Sequence, residues 1–176
     1  MRKALLALSV LPLLSACGFH PLYATPEMPK GAMQGDLRAI YVEPVSDKLG
    51  YQLRTRLIDL LDGKGEPAGA RYHLRVTLST KSEAIGVQSQ TTPSGITQTA
   101  ITRYNDTIRA EYELVDAKSD QVVAKGVETG LTAYNVLSSP YATLAVQQDA
   151  DRRSAEDIAD RIRIDVAVWF AEQAKK

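Results

Sequence analysis

The sequence predicts an α/β fold of the α+β kind. A mostly antiparallel four-stranded sheet carries two helices on one face, a two-layer sandwich in the order β-α-β-β-β-α. Three patterns predict it. Tyr72, Leu74, Val76 and Leu78 alternate with polar residues, and so do Tyr104, Ile108, Ala110, Tyr112 and Leu114; a period of two marks half-buried strands. Leu49, Leu53, Leu57, Leu60 and Leu61 recur at helical spacing. A longer helical stripe runs through Ala155, Ile158, Ala159, Ile162, Val166, Trp169 and Phe170. Each element has one apolar side, and stacking the layers buries all of them.

The chain begins with MRKALLALSVLPLLSA. Arg2 and Lys3 form a short positive region, and Ala4 to Leu14 is apolar except for Ser9. That is the pattern of a secretory signal peptide over residues 1–16, too short for a permanent membrane span. Leu14-Ser15-Ala16-Cys17 looks like a bacterial lipobox, in which the cysteine takes diacylglycerol and palmitate and becomes the first mature residue. Acyl chains contribute about 0.8 kcal/mol per buried CH₂, so several chains on Cys17 make a firm anchor. Lipobox biology also implies that Asp after the lipidated cysteine favours the inner membrane. Gly18 stands there, so the expected location is the outer membrane, on its periplasmic face.

Residues 17–36 hold Pro, Gly and Met without a sustained period and read as an extended tether. Residues 37–176 form the single folded domain. Leu37 to Val45 reads as its first strand, ended by Pro44. Ser46 or Asp47 caps a helix of about four turns, with Gly63 at its exit. A strand follows from Ala70. With a turn at Pro93, residues whose numbers sum to 186 face each other across a long hairpin. Tyr72 then meets Leu114, Leu74 meets Tyr112, Val76 meets Ala110 and Leu78 meets Ile108. On the other face His73 meets Glu113, Arg75 meets Glu111 and Glu83 meets Arg103. A third strand over roughly Gln121 to Val136 changes parity, and a bulge near Gly126 would reconcile its halves. Ser138, Ser139 and Pro140 then open the last helix, on which Ile164 and Val168 lie opposite the apolar stripe.

Lys81 to Arg103 is mostly Ser, Thr, Gln and Gly. At about 3.3 Å per residue, its arm up to Pro93 reaches roughly 40 Å. It has too little apolar surface to need a helix over it. It reads either as a surface hairpin or as a polar finger for a water-filled cavity in a partner, such as the lumen of a large outer-membrane barrel. In the second reading Pro93 at its tip, together with Ile164 and Val168, belongs to the docking surface.

Composition excludes several classes. Cys17 is the only cysteine, so there is no disulfide framework. Basic and acidic side chains are equal in number, which gives no electrostatic case for nucleic acid. Neither zinc nor calcium spacing occurs. His73 beside Glu113 imitates part of a catalytic triad, but no Gly-x-Ser-x-Gly accompanies it, so the chain is not expected to be an enzyme. Apart from the lipid on Cys17, no cofactor is expected.

The lipobox running into Cys17-Gly18-Phe19-His20-Pro21-Leu22-Tyr23, the element order, and Tyr134-Asn135-Val136 leading to Pro140-Tyr141-Ala142 together resemble the LptE family of lipopolysaccharide-assembly lipoproteins. The resemblance implies an outer-membrane lipoprotein that plugs the LptD-type β-barrel one to one, helps it assemble, and binds lipopolysaccharide. Lipopolysaccharide carries phosphates, which suit Lys and Arg. Arg71, Lys81 and Arg109 have no acidic partner in the expected register and are the candidates for that contact. Phe19 and Tyr23 are candidates for packing on the barrel or at the bilayer interface. The competing reading is an accessory lipoprotein of another envelope machine, for barrel assembly or lipid transport.

Overall fold

The computed structural model describes residues 32–61, 67 and 69–174. In chain order its elements are α1 (Ala32–Arg38), β1 (Ile40–Val42), α2 (Asp47–Leu61), β2 (Tyr72–Thr91), β3 (Thr97–Asp116), β4 (Gln121–Asn135) and α3 (Pro140–Gln173). The expected signal peptide, Cys17, Phe19, Tyr23 and the expected helix exit at Gly63 lie outside the described residues.

The four strands form one sheet in the order β1-β2-β3-β4. β2, β3 and β4 are antiparallel neighbours, while β1 runs parallel to β2. A parallel pair needs a crossover, and α2 supplies it. The sheet's apolar face lies under α2 and α3, as expected. Leu53 and Leu57 of α2, Leu74 of β2, Ile108 and Leu114 of β3, and Ile158 and Ile162 of α3 meet there with no more than a trace of exposure.

The first strand is shorter than expected. Residues 32–38, taken as tether and the start of a strand, are helical. Only Ile40 to Val42 pair with β2. Leu37 and Ile40 are both buried, and a spacing of three with apolar residues on both parities is compatible with helix or strand. The chain turns between them, where the Ala39 amide donates to the Asp36 carbonyl at 3.1 Å.

The hairpin register differs from the expected one by two residues. Leu74 faces Leu114, Val76 faces Tyr112 and Leu78 faces Ala110. Arg75 therefore faces Glu113, Glu83 faces Asn105 and His73 faces Val115. The turn is centred on Ser94 rather than Pro93, with Gly95 at φ +82° in the region only glycine enters freely. The Thr92 amide closes the turn on the Ile96 carbonyl at 2.9 Å. A slip of two keeps every side chain on its own face, so alternation alone does not separate the two registers.

The third strand's change of parity comes from a bulge, but not at Gly126. Leu114 faces Ala124 and Val115 faces Val122, which leaves Val123 unpaired. Gly126 faces Tyr112. A Cβ on it would stand 2.5 Å from the Tyr112 hydroxyl oxygen, so glycine is needed for the ring to pass over β4. The Tyr112 hydroxyl then donates to Asp165 of α3 at 2.9 Å. Burial, reinforced by Asp165, pushes this phenol well above its ordinary range.

α3 is the longest element, with 34 residues, or about 51 Å at 1.5 Å per residue. Ala155, Ile158, Ala159, Ile162, Val166 and Phe170 of its predicted stripe are buried, and Trp169 packs partly buried against them. Trp169 and Phe170 both meet the Tyr72 ring edge-on, at 5.9 and 5.3 Å. Ile164 and Val168 are exposed. Arg56 of α2 pairs with Asp160 of α3 at 3.0 Å, and the Arg163 side chain donates to the Leu60 carbonyl at 3.2 Å. Both contacts tie the two helices side by side.

Candidate partner-facing surface

Beyond Ala84 and Tyr104 the hairpin leaves the body. β2 and β3 stay paired up to Thr91 and Thr97, while β4 ends opposite Arg103. From Val87 to Gln90 and from Gln98 to Ile101 every residue is exposed, whichever face it occupies. Hydroxyls face each other across the strands: Ser89 and Thr99 at 3.3 Å, Thr91 and Thr97 at 3.1 Å. Such cross-strand pairs hold the register where no core does. At the tip the Thr92 hydroxyl meets that of Ser94 at 2.8 Å and accepts from the Ile96 amide at 3.2 Å. Pro93 stands exposed on that turn. Ile85, Val87, Ile96 and Ile101 are exposed along the arm, so the finger is less uniformly polar than its composition suggests.

The arm's base is irregular. Pairing shifts between Ala84 and Gly86 and again between Gly86 and Val87, which leaves Ile85 and Thr102 as extra residues. Gly86 lies against Thr102 and Arg103, and a Cβ there would meet the Arg103 Cβ at 3.1 Å. Bulges of this kind bend a strand and re-aim its side chains.

The three cations expected to lack partners have them. Arg71 reaches Asp36 at 3.5 Å and lies over the Tyr72 ring, 5.4 Å from its centroid. Lys81 pairs with Glu83 at 2.6 Å, and Arg109 with Glu111 at 3.0 Å. Each partner comes from the same strand, or from a helix, rather than from across the expected ladder. The Lys81 ammonium is held above its ordinary range by its hydrogen bond to Glu83, and Glu83 is lowered in return. These pairs are open to water, where they contribute little to stability and are exchanged easily for another anion.

Lys81 and Arg109 nevertheless come together. Arg109 faces Ser79 and Lys81 faces Thr107, so the two are diagonal neighbours on the sheet face that no helix covers. Arg71 stands at the far end of the paired region, beside Tyr72. Arg103 is a further cation on this face. In the expected register Glu83 neutralises it, but in the observed one Glu83 faces Asn105, and among the described residues no carboxylate lies within ion-pair distance of Arg103. Only the true register, set by a five-residue turn, reveals it. His73 lies 3.6 Å from Glu43, and Glu113 is 3.8 Å from Arg75, so the imagined His73–Glu113 pair does not form.

These features define a class of protein: an α+β sandwich whose sheet outgrows its two long helices and ends in a bare hairpin. The LptE lipopolysaccharide-assembly family matches over residues 37–166, and the chain belongs to that family. An uncharacterized protein of Rickettsia prowazekii (strain Madrid E) is 28% identical over 158 residues, covering 90% of this chain and 91% of that one. A candidate lipoprotein from Caulobacter crescentus CB15 superposes with a TM-score of 0.62 at 25% identity, over 80% of this chain and 97% of that one. The rare lipoprotein B from Shewanella oneidensis shares the fold, with a TM-score of 0.53 at 15% identity over 77% of this chain and 98% of that one.

Proposed function

We propose that this protein is anchored to the outer membrane by diacylglycerol and palmitate on Cys17, and that it plugs an LptD-type β-barrel from the periplasmic side. There it helps the barrel assemble and assists delivery of lipopolysaccharide to the surface. The single observation behind this reading is the distal hairpin. It is fully paired, closed by a hydrogen-bonded turn, coated with hydroxyls, and buries nothing of its own. A two-stranded arm without a core is marginal by itself in water, and a wet, polar lumen is a place that would hold it. Pro93 leads the hairpin, while Ile164 and Val168, near Trp169 and Phe170 at the foot of the sheet, contribute apolar contacts at the opposite end, and Phe19 and Tyr23 add theirs beside the lipid anchor. The role needs no catalytic group.

Photo-crosslinking residues placed singly along 84–99 test the plug. Adducts to lumen-facing strands of a large barrel support it. Adducts to a different envelope complex would replace it with the accessory-lipoprotein alternative.

Lipopolysaccharide phosphates are proposed to meet Lys81 and Arg109, with Arg103 added at the base of the arm. Arg71 joins them only for a ligand that extends down the sheet. Reversing Lys81, Arg103 and Arg109 to Glu should weaken lipopolysaccharide binding about tenfold or more in low salt, each tenfold being about 1.4 kcal/mol. Arg71→Glu should have the smaller effect. Unchanged binding in the triple variant would remove this contact from the proposal.

A further inference from the structure

Two buried side-chain oxygens have no hydrogen-bond partner among the described residues: Asp106 Oδ1 on β3 and Ser154 Oγ on α3. Their residues are 2% and 6% exposed. A buried polar atom left unpaired is costly, and two in one region point to a ligand that both can reach.

Chain geometry brings them together. On the helix side of the sheet Asp106 faces Thr132 of β4, and Ile108 faces Gly130. Ser154 lies directly over Gly130, where a Cβ would collide with its hydroxyl. Further along α3, Arg161 reaches Glu128 at 3.4 Å, so the helix runs back along β4. Asp151, one turn before Ser154, therefore stands over Thr132 and Asp106. Two titrating groups agree with this placement. The Asp151 carboxyl is raised by burial and then by the Asp106 charge. The Tyr134 phenol, next to Thr132 on the same face, is raised by burial and then by Asp106, Tyr104 and Asp151.

The set is two carboxylates and two hydroxyls, contributed by β3, β4 and α3. It holds neither nitrogen nor sulfur, which suits a hard cation. Buried carboxylates need a counter-charge. Among the described residues Lys48 of α2 opposes the raised Asp151, but its own side chain is exposed.

We propose that Asp106, Thr132, Asp151 and Ser154 form a site for a divalent cation of the calcium class, which clasps the first half of α3 to the sheet. Ca²⁺ accepts about six to eight oxygens in flexible geometry. Mg²⁺ demands a near-ideal octahedron and keeps several waters, for which so buried a site has little room. Two carboxylates place the affinity in the weak range, with a Kd of about 10⁻⁴–10⁻³ M. Ligands drawn from three elements share no spacing, so no sequence pattern marks them. The clasp sits where β4 ends and the free hairpin begins, and a bound cation stiffens that junction.

The test uses the full mature chain with Cys17→Ser, stripped of metal by a chelator and dialysed. Calcium at about ten times its Kd should raise the thermal midpoint by about 3–6 °C, while sodium chloride of equal ionic strength should not. Magnesium should give a smaller shift. In calorimetric titration with calcium, Asp106→Asn and Asp151→Asn should each weaken binding about tenfold or more. Asp151 is only half-buried, so its variant decides the matter if the Asp106→Asn chain does not fold. Asp149→Asn, at an exposed position two residues away, should bind calcium as the parent does. No shift with calcium, a larger one with magnesium, or equal losses in Asp149→Asn and Asp151→Asn overturns the proposal. Neither barrel nor lipopolysaccharide is present in the experiment, so either result leaves the plug reading untouched.

Discussion

Two single residues show how tightly α3 is fitted to the sheet. Asp106 points to the helix side of β3 and is 2% exposed, with no hydrogen-bond partner for its Oδ1 among the described residues. Asp151 of α3 lies near it. Burial raises the Asp151 carboxyl above its ordinary range, the Asp106 charge raises it further, and Lys48 opposes them weakly. A carboxyl raised in the fold favours the protonated state. Its contribution is full below the unfolded value of about 3.9 and disappears as pH rises through the folded value. Asp151→Asn should therefore raise the urea midpoint at pH 7, with the gain vanishing near pH 3.5. Equal gains at both values would mean that charge at Asp151 is irrelevant. Gly126 makes the complementary point by close approach. Gly126→Ala forces the Tyr112 ring off β4 and breaks its bond to Asp165, so it should cost about 1–3 kcal/mol, as overpacking does, read as a lower urea midpoint.

At the scale of elements, the hairpin divides into a body half and a free half. From Tyr72 to Leu78 and from Ile108 to Leu114 one face of each strand is buried; beyond Gly86 almost nothing is. Replacing residues 87–101 with an Asn-Gly turn, suited to a tight hairpin, should shift the thermal midpoint by no more than a few degrees, because no core is lost. The same deletion should abolish capture of the barrel. A collapse of the body on deletion would show that the arm is structural. This division was legible in the sequence, since alternation is clean where the strands are buried and dissolves into Ser, Thr and Gln where they are not. Register was not legible. Apolar alternation fixes the face but is blind to a slip of two, and the deciding geometry lay in the Thr92–Ile96 turn. That slip also misassigned the charges. Lys81, Arg71 and Arg109 found acids beside them, while Arg103 lost the Glu83 that the expected ladder gave it. α1 was missed for another reason: Ala32 to Arg38 is a short helix, and seven residues with one glycine carry too little periodicity to be told from a strand lead-in.

At the scale of the whole molecule, the chain comes into the sheet at the end opposite the hairpin tip. Ile40 lies beside Tyr72 at the foot of β2, whereas the tip is about 20 residues further on, roughly 65 Å at 3.3 Å per residue. Between Cys17 and α1 stand about 15 residues, which span at most about 50 Å when fully extended. Suppose Cys17 is lipidated and the long axis stands upright with the tip toward the membrane. The seven residues of α1 and Ala39 add about 15 Å before Ile40, so the foot hangs no more than about 65 Å below the anchor plane, and a fully extended tether just brings the tip level with that plane. The anchor and the finger thus constrain each other: any slack in the tether, or any shortening of it, carries the hairpin into the bilayer region. Removing about 10 tether residues cuts the reach to roughly 30 Å and demands penetration of about 35 Å, more than the hydrocarbon core of about 30 Å. Lipidated chains with that deletion should lose the barrel in pull-down, while the same deletion combined with Cys17→Ser, free of the anchor, should retain it. If the lipidated short-tether chain binds as well as the full one, the molecule does not stand upright with its finger in the pore, and the hairpin must meet its partner from the side.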